Sequence, residues 1–288
     1  MEACKDYNQL LEKLALKKGI VFLLGHSDSG KTTFSKKLVN LALDRGKKVA
    51  LVDSDVGQST VGPPSCIGAQ IFISADDKDS FGRFFWKLFF VGSTSPRGNL
   101  VPMIAGTCIL AKNSLKKADL VIIDTTGLVL GDYGQELKYH KINLISPRHL
   151  VLFEKGGELA PYKEIFGKQS NINAYCLEMG EGLGQKSFEQ RARYREKSFY
   201  QYFKGGIQVS LQPNRLGSFP PFNQFLKRIE KYSLLGLCGL DKNVLGLGIF
   251  LGFKKNGSLR VYTPLHAASR VKFLILGRLK ITSRGKQL

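Results

Sequence analysis

Eight residues, GHSDSGKT from Gly25 to Thr32, satisfy the pattern G-x-x-x-x-G-K-[ST] in full. Gly25 and Gly30 would let the backbone of His26, Ser27, Asp28 and Ser29 wrap an anion with its N–H groups at a helix N-terminus. Lys31 would neutralise the β and γ phosphates of a nucleoside triphosphate. Thr32 would offer a hydroxyl to Mg²⁺, with Thr33 next in the helix. A second stretch, DLVIIDTTG, carries Asp124 on four apolar residues to a strand end, where a carboxylate beside such a loop can hold a metal-bound water. The alternative, a buried strand ending in an N-cap-type Asp, is the weaker one, because the pairing with the P-loop favours the metal role. A third, VDSDVGQSTVGPP (52–64), sets Asp53 and Asp55 at the mouth of an apolar run. Acids there cost stability unless something uses them, and one aimed across a γ-phosphate could take the proton of an acceptor hydroxyl.

These residues need a frame. Apolar runs at GIVFLLG, KVALVDSD, AQIFIS, KLFFVGS, DLVIIDTT, HLVLFEK and INAYCLEM have strand length, and TTFSKKLVNLALDRG between the first two has helical spacing and stops at Gly46. Strand, helix, parallel strand is the implied unit. The expected fold is α/β: a P-loop NTPase with a mostly parallel sheet flanked by helices. After GGIQVSLQPNRLGSFPP glycine and proline become dense and short strand-like runs follow, so a smaller β-rich C-terminal domain is expected. The boundaries read as a leader helix over 1–18, a P-loop domain over 19–206 and a basic β-rich domain over 207–288.

The 288 residues, 43% hydrophobic, can bury a sizeable core. The five cysteines form no CxxC pair and have no His at ligand spacing, which argues against zinc or a disulfide framework. No secretory signal is visible and nowhere do about 18 apolar residues run together, so no membrane partner and a cytoplasmic location, or a nuclear one in a eukaryote, are expected. The formal net charge of +20 is the outlier and points to a polyanion. From Phe253 to Leu288 there are nine Lys or Arg and no Asp or Glu.

Three classes compete for the γ-phosphate. A GTPase would carry an N-K-x-D motif after a later strand, and neither HLVLFEKGGE nor INAYCLEMGE offers one. A deviant P-loop ATPase would want an extra lysine where this chain has His26 and Ser27. A phosphotransferase needs an acceptor-side base, and DSDVGQ supplies carboxylates in the right place.

Taken together, GHSDSGKTT, DSDVGQSTVGPP, VGSTSPRGN, DTTG and RARYREKSFYQYFKG, in that order, resemble the ATP-dependent polyribonucleotide 5′-hydroxyl kinases, over most of the chain. The resemblance implies that Asp55 is the general base for the 5′-hydroxyl, that Asp53 and Gln58 help position metal and substrate, and that Thr94, Ser95, Pro96 and Asn99 lie in a substrate clasp. It also implies a lid whose R-x-x-x-R pair is Arg191 and Arg195. Residues i and i+4 share a helix face, so both could reach a transferring phosphoryl group; without the resemblance the same helix reads as a solvated charged face. Leu128 stands where eukaryotic members usually have Trp, and the short leader resembles the archaeal type. The implied cofactors are ATP, or another NTP, and Mg²⁺; the implied partner is RNA, or DNA, with a 5′-hydroxyl end. The rivals are a nucleotide-gated RNA-binding scaffold and a small-molecule nucleoside kinase, for which the charge would be pointless.

Overall fold

The computed structural model describes residues 2–4, 6–179 and 186–288. Met1 and Lys5 of the expected leader, and 180–185 ahead of the arginine helix, lie outside the described residues. An eight-stranded sheet comprises β1 (Glu2–Cys4), β2 (Gly19–Gly25), β3 (Val49–Ser54), β4 (Cys66–Phe72), β5 (Lys87–Phe90), β6 (Leu120–Thr125), β7 (His149–Glu154) and β8 (Asn173–Glu178). Its order is β1-β8-β7-β2-β6-β3-β4-β5. All neighbours are parallel except β4 against β3 and β5 against β4. The stretch from Asp55 to Ser65 between β3 and β4 is too short for the crossover a parallel partner requires, so the chain turns back. It returns across β4 at Gly68, where a Cβ would stand 2.0 Å from the Val61 carbonyl oxygen, so only glycine lets the loop lie there.

The central strands are buried on both faces, which is why they read as unbroken apolar runs. Along β2, Ile20, Phe22 and Leu24 face one core with α3 (Leu100–Leu115), α4 (Gly131–Ile145) and α5 (Ala160–Phe166). Val21 and Leu23 face the other, with α1 (Tyr7–Ala15) and α2 (Lys31–Asp44). The segment ahead of β2 is therefore knitted into this unit: β1 extends the sheet on β8, and α1, capped by the Asp6 carboxylate, buries Leu10, Leu11 and Leu14 beside α2.

A six-stranded sheet follows: β9 (Ile207–Leu211), β10 (Gly217–Phe219), β11 (Ser233–Cys238), β12 (Val244–Phe253), β13 (Leu259–Thr263) and β14 (Phe273–Lys280), ordered β10-β14-β11-β12-β13-β9, with α7 (Phe222–Arg228) between β10 and β11. Only β10 and β14 pair in parallel. Between the sheets runs α6 (Phe188–Phe203), started by a reciprocal capping box of Ser187 and Gln190. Its buried side chains, Phe199 and Phe203, share a core with Leu88 and Phe90 of the first sheet and Leu234, Leu247 and Ile249 of the second. Among the described residues no helix is long and apolar enough to cross a membrane.

That shared core makes a prediction. Phe203→Ala removes a fully buried ring and should cost about 3–5 kcal/mol, read as a lower urea midpoint. Leu240→Ala, at a position 88% exposed, should move it by no more than about 0.5 kcal/mol. Equal small shifts would mean that α6 is not pinned there.

Candidate active site

Three strand ends converge. β2 runs into the loop that starts α2, with Gly30 at the helix N-cap at φ 85°. Beside it β6 ends at Asp124 and Thr125, and on the far side of β6 lies β3, whose Asp53 is in direct register with Asp124. A cavity of about 500 Å³ at this end of the sheet is lined by residues of all three and by α6.

Lys31, at the first position of α2, is 6% exposed and donates to Gly25 O at 2.9 Å, His26 O at 2.6 Å and Ser29 Oγ at 3.2 Å. Burial lowers its ammonium pKa, and the carboxylates of Asp124, Asp55 and Asp28 pull it back up. Thr32 Oγ1 donates to Asp124 Oδ2 at 2.6 Å. Burial raises the Asp124 pKa against the opposing charge of Lys31. Asp53 is more tightly held: burial, then the charge of Asp124, pushes it up to about 7, against the N–H donors of Asp55 and Thr60. Its Oδ1 accepts from Asp55 N, and its Oδ2 from Thr60 N, Thr60 Oγ1, Val61 N and Ser59 Oγ. Both oxygens of Asp53 thus hold the loop that follows. Asp55 sits on that loop, its Oδ1 accepting from Gly57 N and Gln58 N at 2.9 Å each. Its Oδ2 takes no hydrogen bond from the described residues, so one oxygen is oriented by the backbone and the other is available to chemistry.

Across the cavity α6 presents two arginines. Arg191 donates through Nη2 to Asp28 Oδ2 at 2.9 Å and through Nη1 to Ser27 Oγ at 3.4 Å, bonding the helix to the phosphate-type loop. Arg195 donates from Nε to Gln287 Oε1 at 3.3 Å, with its guanidinium 6.0 Å above the Phe188 ring. Burial, then Arg191, lowers its pKa. Between them Tyr194 donates to Ser59 O at 2.9 Å. Two buried donors that line the cavity, Gln58 Nε2 and Arg191 Nε, have no partner among the described residues, as expected where an anionic or polar ligand supplies the acceptor.

Of the residues singled out by sequence, Ser27 to Thr33, Asp53, Asp55, Gln58, Thr94, Asp124, Arg191 and Arg195 line this one cavity. Gly25 and His26 do not, but they supply the carbonyls that hold Lys31, and His26 lines an adjoining cavity of about 240 Å³ with Leu130 and Met179. Ser95, Pro96 and Asn99 also stand back: Asn99 Nδ2 donates to Ser95 O and Arg97 O, bracing the loop that carries Thr94. Sequence reading did not single out Thr60 and Tyr194, although both fall inside motifs it quoted, and it missed Lys186, which lies outside them. It also missed Lys138 and Lys141, both fully buried beneath the site. Lys138 donates to Thr125 Oγ1 and Thr126 O, and Lys141 to Ser54 Oγ. Their spacing was the available signal, since 138 and 141 fall on the stripe of α4 that buries Leu137, Ile142 and Ile145. A larger recess, about 1070 Å³, lies at the opposite end of the sheet, at the starts of β7 and β8, away from all these groups.

A mostly parallel α/β sheet with a glycine-rich phosphate loop and a strand-end carboxylate on its threonine defines a P-loop nucleotide-binding protein. More narrowly, the chain belongs to the family described as mRNA cleavage and polyadenylation factor CLP1 P-loop, whose model matches residues 25–205. It is 33% identical to a polyribonucleotide 5′-hydroxyl-kinase of Pyrococcus abyssi, over 93% of this chain and 89% of that one. It is 38% identical to one of Methanocaldococcus jannaschii over 64% of this chain, a match that spans only 50% of that relative's length. Among solved structures, Clp1p in a Clp1p–Pcf11p complex superimposes with a TM-score of 0.71 at 16% identity, over 95% of this chain and 78% of that one, which shows the shared fold.

Two predictions come from this geometry. At Gly127 a Cβ would lie 2.2 Å from the backbone nitrogen of Ser27, so Gly127→Ala should push the loop aside and weaken triphosphate binding at least about tenfold by calorimetry, about 1.4 kcal/mol, with the circular dichroism spectrum unchanged. Undiminished affinity would show that the loop tolerates the shift. The second concerns Lys141, which burial lowers to about 7, against the raising effect of Cys108, Asp55 and Asp53. An unfolded lysine titrates near about 10.4, so between those values the unfolded chain holds a proton that the native chain has shed, and stability rises with pH. The parent should therefore gain on Lys141→Met between pH 7 and 9, by up to about 1.4 kcal/mol per pH unit in urea titrations. Parallel stability curves would show that Lys141 keeps its proton.

Proposed function

We propose that this protein is an ATP-dependent polynucleotide 5′-hydroxyl kinase, transferring the γ-phosphoryl group of ATP to the 5′-hydroxyl end of RNA. One observation carries the reading: donor-side and acceptor-side groups line a single cavity, Lys31 and the Thr32–Asp124 pair on one side and Asp55, held by its own loop, on the other. The names of the archaeal relatives support the same activity.

The P-loop backbone and Lys31 bind the triphosphate and hold its β and γ phosphates. The acceptor oxygen attacks phosphorus in line with the bond to the β-phosphate oxygen, its proton passes to Asp55, and ADP leaves. Arg191 and Arg195 neutralise charge on the moving phosphoryl group from α6. Gln58 offers its unpartnered Nε2 and Thr94 lines the acceptor side, with Ser95, Pro96 and Asn99 shaping the loop that carries it. Among the described residues no three His, Cys, Asp or Glu side chains could hold a metal by themselves. The Thr32 hydroxyl and Asp124 carboxylate are instead the sparse oxygen set that suits Mg²⁺, which takes its remaining ligands from phosphate and water. Bound there, Mg²⁺ would supply electrostatic stabilisation of the phosphates. Asp53, with both oxygens engaged by its loop, would act on that ion indirectly, through its place beside Asp124 and its hold on Asp55. In this division residues 19–206 carry the chemistry and 207–288 face the polynucleotide.

The test is transfer of labelled γ-phosphate to RNA and DNA oligonucleotides bearing 5′-hydroxyl or 5′-phosphate ends, side by side. Label should appear only on the 5′-hydroxyl ends. Asp55→Asn should bind ATP and RNA nearly as the parent does and lose about two to four orders of magnitude in kcat. Binding of both ligands with no transfer by the parent would make the protein a nucleotide-gated scaffold, and an Asp55→Asn rate within a few-fold of the parent would remove the base.

A further inference from the structure

The positive charge is unevenly placed. Beyond residue 206 fall fourteen of the 43 Lys and Arg but only two of the 23 Asp and Glu. The second sheet meets the loop that carries Thr94 at β14. There Arg278 N donates to Gly92 O at 2.8 Å, and the Arg278 guanidinium lies 3.2 Å from where a Cβ on Gly98 would stand. Following β14 outward from that point leads into a recess of about 530 Å³ between β10, β14 and α7. Its lining includes the exposed Phe219 ring, 65% accessible, with Arg228 and Arg278 beside it. The recess holds one carboxylate, Glu230, which is paired with Lys280. Neither Arg228 nor Arg278 makes an ion pair among the described residues.

An exposed aromatic ring in one recess with two guanidinium groups that make no ion pair among the described residues is the combination that grips single-stranded nucleic acid, since every base has a face to stack and every step a phosphate to neutralise. We propose that this recess binds the RNA strand just downstream of the reactive end, with a base stacked on Phe219 and phosphates on Arg278 and Arg228. The proposal rests on the kinase reading for its direction: the 5′ terminus lies at Thr94 and the chain leaves over Gly98 and Arg278. Binding there would add affinity for longer acceptors without touching the reacting atoms.

The experiment pairs two substrates. Anisotropy of a 5′-phosphorylated decaribonucleotide measures binding without turnover, and phosphorylation of a 5′-hydroxyl dinucleotide measures chemistry at an acceptor too short to reach the recess. Phe219→Ala should weaken decanucleotide binding about fivefold or more. The double variant Arg228→Gln, Arg278→Gln should weaken it and flatten the salt dependence by about 0.7 in log K against log salt for each phosphate that is no longer neutralised. Both should leave kcat and KM for the dinucleotide unchanged. All three side chains are exposed, so the variants should fold. Undiminished decanucleotide affinity would overturn the proposal and leave this face for a protein partner. Equal losses on the dinucleotide would also overturn it, because the effect would then run through the active site. Should the parent phosphorylate no 5′-hydroxyl RNA, dinucleotide or decanucleotide, while binding of the 5′-phosphorylated decanucleotide still depends on Phe219, the kinase reading fails and the strand site stands.

Discussion

Asp53 and Asp124 stand side by side in register on adjacent parallel strands, both almost fully buried, and the cost of putting two carboxylates there governs the site around them. Neither can be ionised in that setting without compensation. The fold supplies it differently to each. Asp124 takes the Thr32 hydroxyl and the field of Lys31; Asp53 takes the backbone and hydroxyl donors of the segment from Asp55 to Val61. Compensating Asp53 therefore builds the loop that orients Asp55, so the position of Asp55 is a consequence of how its neighbour is satisfied.

Beneath these acids lie the buried amines of Lys138 and Lys141, bonded to hydroxyl and carbonyl oxygens and making no ion pair among the described residues. Their pKa values are lowered by burial, so they are poorer sources of positive charge than a surface lysine. They hold Ser54, Thr125 and Thr126, the residues that end β3 and follow Asp124, by hydrogen bonding. A helix on one face of the sheet thereby fixes the strand ends that line the cavity.

The arginine helix is held from two sides. Phe199 and Phe203 seat it in the core shared by the two sheets, while Arg191 reaches Asp28 of the P-loop and Arg195 reaches Gln287 of the second unit's last strand-like turn. Its position is thus coupled to the phosphate loop at one end and to the basic β-rich unit at the other. Movement of either would be felt at the two guanidinium groups.

The P-loop, the apolar strands feeding it and the helix it opens were legible in the sequence, because all of their determinants are local: a glycine-rich turn, continuous burial, helical spacing. So were the three acids at strand ends, and order and spacing of the motifs sufficed for the family. The sequence did not disclose that β4 and β5 turn antiparallel, that β1 closes the far edge on β8, or that β10 lies parallel to β14, since pairing is decided by loop length and competition among distant strands. Nor could it say which of two neighbouring aspartates, Asp53 or Asp55, spends its oxygens on backbone donors and which keeps one free. Both are the same residue at the same strand end. Only the path of the loop over Gly68 brings the N–H groups of Thr60 and Val61 onto Asp53, and a carboxylate's role is set by which donors reach it in space, a property that alternation along a strand does not contain.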